Sequence, residues 1–111
     1  MGLNFQSIKG DTFEEVTFEL LLNDAPYSLV DAIIRMQLRK EYGGIPFLSL
    51  TSVASAGITI TNPSSGIFTI NKQIIDIDSA NYIYDIELIK ADSTVKTYVS
   101  GYFYVTNDVT R

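Results

Sequence analysis

The chain has 111 residues, 46% of them hydrophobic and 19% charged, which is enough apolar material for one packed core and rules out a disordered chain. It contains no Cys and no His, so disulfides, thiolate or histidine metal sites, Cys–His pairs and the Ser-His-Asp triad are all excluded. Thirteen acidic residues against 8 basic ones give a formal net charge of −5. That balance argues against nucleic acid, whose phosphates need neutralising, and against an anionic membrane surface.

A chain of this length is expected to form a single domain, 1–111, with 107–111 as a polar tail. The first residues, Met1 to Phe5, lack a charged stretch followed by an apolar one, so no signal peptide is expected. No apolar run is long enough to span a bilayer. Residues 3–8 read as a short strand ending at the turn pair Gly10-Asp11, and residues 13–22 as a second strand. In the second, Val16, Phe18, Leu20 and Leu22 would point inward and Glu15, Thr17 and Glu19 outward. Asn23-Asp24-Ala25-Pro26 is a turn by composition, because Asn and Asp bond their own backbone and Pro presets φ.

Residues 31–40 contain many helix formers, but Ala32, Ile34, Met36 and Leu38 alternate with Ile33, Arg35, Gln37 and Arg39, and the alternation favours a strand. Gly43-Gly44 turns the chain into a strand over 46–51, whose leading Pro suits a strand start or an edge. Residues 58–61 and 67–70 flank Asn62-Pro63-Ser64-Ser65-Gly66 and read as a hairpin. Residues 71–79 are expected to cross between sheets, with room for one helical turn.

From Tyr82 onward the alternation is strict. Tyr82, Tyr84, Ile86 and Leu88 face one way, and Ile83, Asp85 and Glu87 the other. The last strand, over 95–106, alternates Thr97, Val99, Gly101, Phe103 and Val105 with Tyr98, Ser100, Tyr102 and Tyr104. Folding alone does not require a tyrosine row on a solvent face. Tyr is enriched at interfaces, and it also suits cross-strand packing, so two readings stay open for Tyr98, Tyr102 and Tyr104. Ile83, Ile33 and Ile89 would share that outer face, where Arg35 and Arg39 could pair with Asp85 and Glu87. These make Tyr98, Tyr102, Tyr104, Arg35, Arg39 and Ile83 the candidate interface.

The sequence presents no catalytic, cofactor-binding or metal-binding set. Asp76 and Asp78 would lie on one side of an extended segment, but the Gly and Glu of a calcium loop are missing. The glycines form no phosphate-binding pattern, and Ser64-Ser65 has no histidine base. About eight short strands with a turn every 8–12 residues or so fit an all-β, two-sheet antiparallel sandwich of seven to eight strands.

Two resemblances add to this reading. Asp78-x-Ala80-x-Tyr82-x-Tyr84 is similar to the tyrosine-corner segment of immunoglobulin variable domains. The resemblance implies that Tyr82 bonds backbone a few residues upstream and that Tyr84 fills the core where those domains place a disulfide Cys. The second runs through Gly10-Asp11-Thr12-Phe13, Ala32 to Arg39, Gly57-Ile58-Thr59-Ile60, Gly66 to Ile70, Tyr82 to Leu88 and Val105 to Arg111. In that order these pieces resemble the small immunoglobulin-like proteins of tailed-phage virions and the N-terminal domain of phage baseplate upper proteins. Such relatives tend to be helical after the position of Ile70, whereas Gln73-Ile74-Ile75-Asp76-Ile77 is rich in β-branched residues.

The resemblance implies an immunoglobulin-like sandwich and a non-enzymatic structural component of the virion, in tail, baseplate or fibre. It would contact other virion structural proteins, as a homo-oligomer or within a larger assembly, with no cofactor, nucleic acid or membrane. The alternative is a carbohydrate- or surface-binding module that uses Tyr27 and Tyr42 as stacking platforms.

Overall fold

Period-two alternation in three long strands builds the main layer. The structure, a computed structural model, describes residues 3–107; it is all-β, with no helix of seven residues or more among them. Its strands are β1 (Phe5–Ile8), β2 (Thr12–Phe13), β3 (Val16–Glu19), β4 (Leu21–Leu22), β5 (Ala25–Pro26), β6 (Ile33–Arg39), β7 (Pro46–Thr51), β8 (Ile58–Asn62), β9 (Ile67–Ile70), β10 (Gln73–Ile74), β11 (Ala80–Ile89) and β12 (Val95–Thr106).

A five-stranded sheet in the order β1-β12-β11-β6-β7 curls into a half-barrel. Its neighbours are antiparallel except β1 and β12, which run parallel with Phe5 opposite Phe103. The inward residues of the three long strands are buried: Tyr82, Tyr84, Ile86 and Leu88 of β11, Ile34, Met36 and Leu38 of β6, and Val99, Phe103 and Val105 of β12. A three-stranded sheet, β3-β9-β8, and the pairs β10–β2 and β4–β5 make up the rest. Phe13, Leu20, Leu29, Ile58, Phe68, Ile70 and Ile75 close the same core cluster, where each fully buried large side chain contributes about 1.5–3 kcal/mol. At one end Phe5, Phe13, Phe103 and Tyr84 meet with ring centroids 5.4–5.8 Å apart.

Two buried phenols fix the chain at this core. The Tyr82 hydroxyl donates to the Asp78 carbonyl at 2.6 Å, pinning the segment that enters β11. The Tyr84 hydroxyl donates to the Leu3 carbonyl. Gly101 lies opposite Tyr84, and a Cβ there would collide with the Leu3 carbonyl oxygen and reach Asn4 Oδ1 at 3.0 Å. With no side chain at 101, the segment before β1 lies across β12. Leu3 N–H donates to the Ser100 carbonyl at 3.1 Å, and Asn4 Oδ1 accepts from Tyr102 N–H at 3.0 Å.

The strands expected over 3–8, 31–40, 46–51 and 58–70 appear as β1, β6, β7 and the β8–β9 hairpin. Residues 13–22 differ. They break into the end of β2, then β3 and β4, and Leu22 is 53% exposed rather than inward. The break follows from Leu20, whose N–H donates to the Gly66 carbonyl while its carbonyl accepts from Tyr27 N–H. Beyond it the chain forms the β4–β5 hairpin, with Asn23 and Asp24 at φ +52° and +63° as a type I′ turn requires, so Leu21 and Leu22 project outward. The crossing over 71–79 carries no helical turn. Gln73 and Ile74 pair with β2, and Ile75 enters the core. Of the expected polar tail, Asn107 is exposed and 108–111 lie outside the described residues.

Gly101→Ala should destabilise the protein by about 1–3 kcal/mol, because the added methyl must push backbone aside. Tyr82→Phe should cost about 1 kcal/mol through its lost hydrogen bond. Urea unfolding followed by circular dichroism measures both, and an unchanged midpoint for Gly101→Ala would contradict the docking of residues 3 and 4 on β12.

Candidate functional site: the outer face of the five-stranded sheet

The alternation that buries one face of β6, β11 and β12 presents the other in cross-strand rows. Ile33, Ile89 and Val95 form an apolar row at one end. Arg35, Glu87 and Thr97 follow, then Gln37, Asp85 and Ser100. Arg39, Ile83 and Tyr102 come next, and Asn81, Tyr104 and Gln6 complete the face at the β1 edge. A polar middle is therefore flanked by apolar ends. Tyr102 and Tyr104 stack with centroids 5.8 Å apart and planes 12° apart, and Tyr102 is 48% exposed.

Of the candidate interface residues, Tyr102, Tyr104, Arg35, Arg39 and Ile83 share this face. Tyr98 does not, which corrects its expected place in the tyrosine row. Ile86 pairs with Val99 and Glu87 with Thr97, so Tyr98 is an extra residue in β12. Such a bulge turns two successive side chains to the same side. Tyr98 joins Val99 against the core, edge-on to Tyr27 at 5.8 Å, and Thr97 takes the outward place. The Lys90 ammonium also lies over the Tyr27 ring, 4.9 Å from its centre, which leaves it poorly placed as a stacking platform. Tyr42 remains 90% exposed.

The polar middle contains a depression of about 400 Å³ lined by Gln37, Arg39, Tyr42, Asp85, Thr97 and Ser100, among others. Arg35 Nη2 meets Glu87 Oε2 at 3.1 Å, as the alternation suggested. Arg39 does not pair with either acid. Its Nε donates to the Gly44 carbonyl at 2.8 Å and its Nη2 to Gln37 Oε1 at 2.6 Å, which ties the β6–β7 turn back onto the strand. Asp85 is left with its Oδ1 out of solvent and without a hydrogen-bond partner among the described residues. Burial, and then the nearby Glu87 carboxylate, hold the Asp85 carboxyl above its ordinary range, against the opposing pull of Arg39 and Arg35.

The sequence marks Asp85 as outward-facing. What it leaves unmarked is the route of Arg39 to the turn and the bulge at Tyr98, and these two details strip Asp85 of its neighbour and keep a bulky ring out of the hollow. A partly buried carboxylate with a perturbed ionisation, lining a hollow, makes this a candidate functional position.

Among the described residues, no group of three or more acidic, His or Cys residues could hold a metal ion, and no helix is long and apolar enough to cross a membrane. Asp78, one of the two aspartates weighed for calcium, receives Lys9 Nζ at 3.4 Å instead. No protein-family model matches the chain, and no curated protein matches it.

Asp85→Asn should raise the melting temperature at neutral pH. The folded carboxyl is held above its unfolded value of 3.8, so the native state binds the proton more tightly, and stability falls as pH rises through the folded pKa. The advantage of Asn should therefore be full at pH 7 and shrink as pH falls toward about 4. Calorimetric scans of both proteins across this range test it, and a variant less stable than wild type at pH 7 would show that the carboxylate is compensated.

Proposed function

We propose that this protein is a non-enzymatic structural component of a phage virion, an immunoglobulin-like β-sandwich that anchors or adapts tail, baseplate or fibre proteins. It acts through protein–protein contacts with other virion proteins, as a homo-oligomer or within a larger assembly formed in the host cytoplasm. The strand orders support the sandwich. β12-β11-β6-β7 matches the G-F-C-C′ order of immunoglobulin variable domains, and β3-β9-β8 matches B-E-D of the facing sheet. The Tyr82 hydroxyl bond to the Asp78 carbonyl sits where that fold places its corner tyrosine, at the start of strand F.

The observation that carries the contact role is the stacked Tyr102–Tyr104 pair, Tyr102 exposed and Tyr104 partly so, beside Ile83 and the β1 edge. Two rings already stacked lose little further freedom when covered, and each offers a large apolar body with a polar tip. The β4–β5 hairpin, with Leu21 and Leu22 half exposed at its tip, offers a second apolar contact on a separate part of the molecule.

Particles purified from the producing host should contain the chain in fixed ratio to tail proteins, read by quantitative mass spectrometry. The double variant Tyr102→Ser/Tyr104→Ser should fold, with a near-native melting temperature, yet be missing from the particles. A chain absent from particles, or a double variant incorporated as well as wild type, would sink this reading.

A further inference from the structure

We propose that the depression around Asp85 is a binding site for a neutral pyranose sugar. Its volume, about 400 Å³, lies toward the lower end of the ~300–1,000 Å³ usual for small-molecule sites and suits one sugar ring better than a polymer segment. The charges that line it cancel, Arg39 against Asp85, and the neighbouring Arg35 and Glu87 pair with each other. A cationic ligand would meet the Arg39 guanidinium, and an anionic one the Asp85 carboxylate. A neutral ligand meets neither penalty.

The hydrogen-bonding groups are mixed in the way that vicinal hydroxyls require. The Asp85 carboxylate lines the hollow and, since its Oδ1 is out of solvent, offers Oδ2 as the acceptor. Arg39 uses Nε and one Nη2 N–H in the bonds described above, which leaves further guanidinium N–H donors. The Thr97 and Ser100 hydroxyls both donate and accept. One sugar O–H can thus donate to Asp85 while its neighbour accepts from Arg39 or Ser100. At the rim, the Tyr42 ring and the Ile83 side chain supply apolar surface for the C–H face of a pyranose. Tyr42 is 90% exposed and contributes nothing to the core, which leaves ligand contact as a use for its ring. The proposal does not rest on the virion role, because it concerns the polar middle of the sheet and shares only Ile83 with the surface around the tyrosine pair.

Titrating the full chain with methyl α-glucoside, methyl α-galactoside, methyl α-mannoside and N-acetylglucosamine, followed by ¹H–¹⁵N NMR, tests it. At least one sugar should shift the amides of Gly43, Gly44, Asp85, Thr97 and Ser100 at millimolar concentration, while lysine amide and sodium sulfate should not. Asp85→Ala should weaken that binding about tenfold or more, as expected for losing a bond to a charged group. Tyr42→Ala changes only an exposed side chain and should weaken it several-fold, which keeps the test intact if the Asp85 variant unfolds. A glycan array then separates the sources: recognition of the same sugar at a glycan terminus identifies a surface glycan, and binding of the free glycoside alone identifies a soluble sugar. No shift with any sugar, shifts elsewhere on the molecule, a response to lysine amide, or undiminished binding by folded variants would overturn the proposal.

Discussion

Tyr82 and Tyr84 carry two phenolic O–H groups into a core where an unpaired donor costs about 1–3 kcal/mol, and the fold is arranged around giving each an acceptor. Neither acceptor is a side chain. Tyr82 takes the Asp78 carbonyl and so determines how the chain enters β11. Tyr84 takes the Leu3 carbonyl and so brings the first described residues against the far side of β12. Burial pushes the Tyr84 hydroxyl up to about 12. Since β11 lies at the centre of the five-stranded sheet, both bonds act on the strand that every other strand of that sheet is measured from.

The same strand sets up the outer face. Its inward tyrosines are satisfied by backbone, while the Oδ1 of its outward Asp85 has no partner among the described residues. The contrast comes from the neighbours. β6 supplies Arg35 to Glu87, but its second arginine is committed to the β6–β7 turn, and β12 presents only short hydroxyl side chains beside Asp85 because its bulge has moved Tyr98 inward. The result is a polar hollow between two apolar borders on an otherwise ordinary sheet surface.

Much of this could be read before the fold was known, and the limits have physical causes. The faces of β6 and β11 follow from alternation, because a one-residue error would put every isoleucine and leucine in water. The Tyr82–Asp78 bond was marked by the spacing Asp78-x-Ala80-x-Tyr82. The face of β12 was readable only from Val99 onward, because a bulge inserts one residue without any change in composition. The run Leu20-Leu21-Leu22 carries no period, so nothing in it separates the buried Leu20 from the exposed pair that follows. The hollow was the least legible feature, since Asp85 lacks a partner only because Arg39 reaches Gly44, a choice made by the local shape of a turn.

The parallel pairing of β1 with β12 has a consequence for how the molecule is made. Phe5 pairs with Phe103, so the two strands that form this end of the sheet lie almost the whole chain apart. During synthesis β1 must wait for all the residues between it and β12 to emerge before its ladder can form, and until then the edge of β12 that receives it does not exist. Closing a loop of that length places the pairing among the slow, non-local steps of folding, after the β8–β9 and β6–β7 hairpins have formed. Once β12 is in place, its outer edge stays open to any extended segment until β1 arrives, and a strand from a second copy would satisfy the same hydrogen bonds. An exchange of first strands between chains is therefore the misassembly to which this topology is most exposed.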